Sequence, residues 1–166
     1  ALALAPRLMA IAPHALITSG IERADETAAP FLSSSNIRSE IVPEFDEIGI
    51  GDLRSRDLAV VKAKLSQRPF VPDFSEYDGE SSSEFAGRVI DAFQTRVLDR
   101  FDTGQRVAAV IHGGPINVIL EWAEHGNFPG TFSRNVDTAS VTLLRCRPDG
   151  IHVLYESDTV HLGKPS

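Results

Sequence analysis

The stretch VAAVIHGGPINVIL, residues 107–120, decides how the chain is read. Val107 to Ile111 is an unbroken apolar run. A half-buried strand alternates, whereas a short continuous run bounded by polar and glycine residues predicts a strand covered on both faces, as in a parallel sheet. His112-Gly113-Gly114 ends the run. Pro115 follows, and its fixed φ and missing N–H suit the first turn of a helix. Ile116 to His125 supplies that helix. A buried strand feeding a helix is the elementary unit of an α/β layer fold.

The flanking sequence repeats the theme. Ala15-Leu16-Ile17-Thr18 reads as a second short buried strand, with Ser19 in the N-cap place of a helix from Ile21 to Leu32. Residues 2–12 form a short apolar helix that tolerates Pro6 only near its first turn. Residues 37–53 scatter Ile37, Ile41, Val42, Phe45, Ile48 and Ile50 among prolines and glycines, and read as an extended or loop region with anchors, not a long regular element. Residues 56–67 read as a helix and 68–79 as a loop around Pro69, Pro72 and Gly79. Ser81 and Glu84 have capping-box spacing, and Phe85, Val89, Phe93, Val97 and Phe101 then recur every fourth residue down to a stop at Gly104. Ala139–Arg145 and Ile151–Tyr155 read as strands joined by a Pro148-Asp149-Gly150 turn. No repeat or linker interrupts this pattern, so residues 1–166 are expected to form one domain.

Composition narrows the function. The 166 residues carry 16 Lys and Arg against 23 Asp and Glu, a net charge of −7. With 42% hydrophobic and 23% charged residues the chain is ordinary globular material, not a disordered one. The negative balance argues against nucleic acid, which needs a basic face. No apolar run approaches the roughly 20 residues that cross a bilayer. The start, ALALAPRLMA, has no basic leading region and makes a poor signal peptide. The single Cys146 excludes an intrachain disulfide and a multi-cysteine zinc site. No cofactor is expected, and the setting that fits is cytoplasmic. The oligomeric state, a homodimer included, is left open.

Ligands in open α/β sheets bind beyond the carboxyl ends of the strands. Two such places stand out: Thr18-Ser19-Gly20 leading to Arg23, and His112-Gly113-Gly114. Each precedes a helix N-terminus, which offers free N–H groups and the positive end of the dipole to an anion. Arg23 can fork onto a phosphate or carboxylate. His112, with an ordinary pKa near ~6.5, can exchange a proton near neutrality. The plainer readings are these. An arginine near a helix start is usually a surface residue. His14, His125, His152 and His161 lack metal-ligand spacing and read as structural or exposed. Glu44, Asp46 and Glu47 read as a solvated acidic loop, Gly79-Glu80-Ser81 as a turn, and Cys146 as structural. His-Gly-Gly also occurs in esterase oxyanion loops, but the Gly-x-Ser-x-Gly elbow is absent.

Taken in order, the pieces resemble the histidine phosphatase superfamily, the phosphoglycerate-mutase-like fold. The segments that carry the resemblance are TSGIERADETAAP (18–30), EFDEIGIGDL (44–53), GESSSEFAGRV (79–89) with Arg88, VAAVIHGGPINVIL (107–120), and ASVTLLRC followed by ESDTVHL (156–162). The resemblance implies a three-layer α/β/α sandwich with a mostly parallel central sheet. It implies a phosphatase working through a phosphohistidine on a small phosphorylated substrate, without metal. Arg23 would clamp the phosphate, His112 would steady charge on the transferring oxygens, and Glu47 would protonate the leaving oxygen. Gly113 would offer an N–H and Ser19 a hydroxyl. A non-catalytic binding member and a mutase are the alternatives. The short stretch from Arg54 to Gly79, with Arg54, Arg56, Lys62, Lys64 and Arg68 on or beside one helix, favours phosphatase over mutase. The family's first strand ends in Arg-His-Gly and carries the nucleophile, and the sequence has no Arg-His-Gly. Because the pattern starts midway at Ala1, that strand is expected in a preceding segment of the natural protein.

Overall fold

The computed structural model describes residues 1–66, 70–102 and 104–163, with the Arg54 side chain left aside. The expectations that touch Gln67, Arg68, Pro69 and the Arg54 side chain lie outside the described residues. Three parallel strands form a sheet in the order β2-β1-β3: β1 is Ala15–Thr18, β2 Ser39–Ile41 and β3 Val107–Val110. Thr18 stands opposite Ile41 on one side and Val110 on the other. The helices are α1 (Leu4–Ile11), α2 (Glu22–Leu32), α3 (Leu58–Leu65), α4 (Ser82–Phe93) and α5 (Gly113–His125).

Successive side chains of a strand point to opposite faces, and β1 shows what that does here. Ile17 packs into a core with Phe45, Leu53, Phe85, Val89 and Val118, which brings α4 and α5 onto one face. Leu16 packs with Leu4, Leu8, Ala28 and Phe31, which brings α1 and α2 onto the other. The result is the expected three layers. Each fully buried Phe or Leu stabilises this arrangement by about 1.5–3 kcal/mol. Among the described residues no helix is long and apolar enough to cross a membrane.

A separate antiparallel hairpin, β4 (Val141–Arg147) with β5 (Gly150–Asp158), completes the structure. Val141 packs against the α1–α2 core, while Leu144 and Ile151 pack against the other. Helices on both faces thus hold the hairpin beside the parallel sheet. Among the described residues β3 pairs only with β1, and β4 only with β5. Val107 and Ile111 pack against the core on the α4–α5 side and Ala108 and Val110 against the core on the α1–α2 side, so both faces of β3 are covered as expected, but its unpaired flank leaves Val107, Ala108 and Val110 only half-buried and Ala109 exposed. An edge strand has one flank uncovered, whatever its own sequence.

Other element boundaries also differ from the expectation. Residues 39–41, within the stretch expected to be extended or loop, form the short strand β2 by pairing with β1. The long helix expected to reach Gly104 is α-helical only to Phe93 and then widens into a π turn, Gln94–Leu98, closed by the Asp99 N–H on the Gln94 carbonyl. A strict four-residue repeat drifts around a helix of 3.6 residues per turn. The wider turn compensates, and Val97 and Leu98 still reach the core.

Candidate active site

The carboxyl ends of β1 and β3 lie side by side, and the turns that leave them build the site. At the end of β1 the backbone reverses through Gly20 at φ +80°, a conformation that suits glycine. Ile21, not Ser19, is the N-cap residue of α2. Ser19 is released from capping and turned inward. It is buried, with its Oγ 2.8 Å from His112 Nε2. Arg23, one turn further along α2, donates its Nε–H to His112 Nδ1 at 3.2 Å. Because Nδ1 accepts, the ring proton sits on Nε2 and points to Ser19. Burial pushes the His112 pKa below its ordinary value, and the Arg23 guanidinium pushes the same way, against Asp46 and Glu47. Burial and Arg23 thus favour the uncharged ring.

His112 is the N-cap residue of α5, and Gly113 and Gly114 open that helix, so the free N–H groups of its first turn face the site. Glu47 occupies part of this end. Its Oε2 accepts the Gly114 N–H at 3.0 Å and its Oε1 the Ile48 N–H at 3.1 Å. A Cβ on Gly114 would collide with the Glu47 carboxylate, so either Glu47 or the turn would have to give way to admit a side chain. Asn117 donates to the Gly113 carbonyl and fixes the turn.

The structure brings Ser19, Arg23, His112 and Glu47 together around the α5 N-terminus, with Gly113 beside them. It corrects the reading of Asp46 and Glu47 as a solvated loop. Asp46 Oδ1 lies 3.4 Å from His112 Nε2 and 4.0 Å from Arg23 Nη2, and accepts the Glu47 N–H at 2.6 Å. Glu80, read as part of a turn, is half of a clamp. Its two oxygens receive the Nε–H and Nη2–H of Arg88 at 2.6 and 2.7 Å, and Oε2 also takes the Gly49 N–H. Arg88 spends its remaining donors on the carbonyls of Glu44, Asp46 and Glu47. The clamp thus holds the whole backbone from Glu44 to Gly49 against α4. Burial pushes the Glu80 carboxyl up, but Arg88 and the Gly49 N–H outweigh it and leave the pKa below the usual carboxylate range. The remaining histidines sit elsewhere: His14 accepts the Arg106 N–H, His161 meets the Ala139 carbonyl, and His125 and His152 are exposed beside carboxylates.

The sequence profile of the histidine phosphatase superfamily (branch 1) matches residues 1–159. The chain belongs to that superfamily. Its fold is phosphoglycerate-mutase-like. It superposes on Bacillus stearothermophilus YhfR with a TM-score of 0.80 at 23% identity, covering 97% of this chain and 82% of that one. The alpha-ribazole phosphatase from Shigella flexneri gives 0.74 at 18% identity, covering 95% and 79%. A phosphoglycerate mutase from Bacillus anthracis gives 0.72 at 19% identity, covering 98% and 80%. These likenesses are of fold. No curated protein sequence matches the chain.

Proposed function

We propose that this histidine phosphatase superfamily chain is the larger part of a phosphomonoester hydrolase. The observation that carries the reading is the contact set Ser19–His112–Arg23 at two adjoining helix N-termini, with a carboxylic acid, Glu47, on the same helix end. Ser19, Arg23 and the Gly113 N–H would hold the phosphate of a small phosphorylated substrate. His112 would steady the transferring oxygens. The attacking histidine would come from a preceding strand that pairs between β3 and β4. The free flanks of those strands and the bridging helices support that place for it. In the first step the histidine nitrogen bonds to phosphorus, the ester P–O bond breaks, and Glu47 gives its proton to the leaving oxygen. In the second, water attacks phosphorus, returns a proton to Glu47, and frees the histidine with inorganic phosphate. The alpha-ribazole phosphatase among the superposed structures supports hydrolysis, and the cytoplasmic setting expected from the lone cysteine is compatible with it.

The test is turnover of p-nitrophenyl phosphate by the chain joined to its natural preceding segment. Activity should appear with an acid-labile phosphoryl label on histidine. His112→Ala should lower it about 10²–10³-fold, and unchanged turnover by that variant would sink the assignment. One observation favours a second reading, an anion-binding member without turnover: among the described residues no second histidine touches Ser19, Arg23 or His112. That reading requires vanadate to raise the melting temperature while turnover stays absent.

A further inference from the structure

Asp46 has no part in the steps above, yet it faces both groups that would hold the anion. Its Oδ1 is 3.4 Å from His112 Nε2 and 4.0 Å from Arg23 Nη2. It is fixed there by the Glu47 N–H at its Oδ1 and by Arg88 on its own carbonyl. The charged groups acting on the imidazole are Arg23 on α2 and Asp46 and Glu47 on the clamped loop. Glu47 is turned to the α5 N-terminus. With Glu47 serving as the acid of the first step, that leaves one guanidinium and the Asp46 carboxylate facing the ring. A phosphate dianion entering this set needs positive charge, and it needs donors. The Arg23 Nε–H is already spent on Nδ1. It can join the Nη groups in a two-pronged grip on an anion only by leaving the ring, which uncovers a basic lone pair.

We propose that Asp46 is a positioning residue that makes anion binding proton-coupled: as Arg23 turns from His112 Nδ1 to the anion, Nδ1 takes a proton from water, and the resulting imidazolium is held by Asp46 at Nε2. The inference rests on the phosphate-site reading given above. Nε2 keeps its proton throughout and only the Nδ1 lone pair gains one, so the site becomes one unit more positive as the anion arrives. Burial and Arg23 favour the uncharged ring in the unliganded site. Once Arg23 is engaged elsewhere, the nearby carboxylates decide the balance.

The experiment follows the His112 Cε1–H signal by NMR through pH in the 166-residue chain, with and without sulfate. Sulfate does not titrate in this range, so any linkage belongs to the protein. Saturating sulfate should raise the His112 midpoint by about one pH unit, and sulfate affinity should correspondingly fall about tenfold in all as pH rises through the free and bound midpoints. Asp46→Asn keeps an acceptor for the Glu47 N–H. It should lower the midpoint in both states and weaken sulfate about threefold or more near pH 7, with Asp46→Glu recovering most of the loss. Arg23→Ala should remove the sulfate effect. If sulfate binds through Arg23 while the midpoint stays still, the inference is overturned and the phosphate site stands. The same holds if Asp46→Asn keeps the wild-type midpoint and affinity or binds more tightly. If sulfate does not bind the wild-type chain at all, both are overturned.

Discussion

The two turns that carry the site both need a glycine, and for different reasons. At the end of β1, Gly20 is required by conformation. Its φ is +80°, and the nearest obstacle to a Cβ is the methyl of Ile41, a largely exposed side chain that can rotate. At the start of α5, Gly114 is helical and unstrained, and what excludes a side chain is the Glu47 carboxylate lodged against it. The first turn only has to expose Ser19. The second has to receive a residue from another part of the chain, so its freedom depends on how firmly that residue is held.

The sharpest way to break this contrast is Gly114→Ala. Either Glu47 or the α5 turn must shift, and overpacking of this kind should cost about 3 kcal/mol in urea denaturation. Adding Glu47→Ala should recover most of it, and a double-mutant cycle with no coupling would refute the steric account. Arg88→Ala comes next. It leaves the Glu80 carboxylate and three carbonyls without their donor, for about 2 kcal/mol by the same measurement. Its pH signature is specific. Glu80 has a lowered folded pKa, so its contribution is complete above the 4.5 of the free carboxyl and is lost as pH falls through the folded value. The stability gap between wild type and Arg88→Ala should therefore narrow at low pH, down to the part owed to the three carbonyls. Gly20→Ala should be mildest, about 1 kcal/mol for a left-handed alanine. Adding Ile41→Ala should leave that loss nearly intact, and full rescue would mean that space, not conformation, selects Gly20.

The parts legible in the sequence were those decided locally. β1 and the Ser81–Glu84 capping box fall where the residues place them, because a short apolar run and a cap carry their own signals. The place of Ser19, Arg23 and His112 at strand ends was also legible, since a strand followed by a helix puts its last residues at the open edge. The rest depends on distant neighbours. β2 exists because β1 offers it a ladder, and β3 is half-exposed because, among the described residues, only one of its flanks is paired. Asp46 and Glu80 look like any acidic loop residues until Arg88, eight residues after Glu80, draws both segments together. Gly-Glu-Ser ahead of a capped helix was the available signal for that clamp.

The contact between Ser19 and His112 joins residues 93 apart in the sequence, and that between Arg23 and His112 residues 89 apart. Both ride on the pairing of β1 with β3, a long-range parallel contact whose loop must close before any hydrogen bond repays it. The site is therefore a late product of folding. In a stopped-flow refolding experiment the capped helix α4, whose contacts are local, should gain its signal first. The ability to bind an anion should arrive only with the slowest phase.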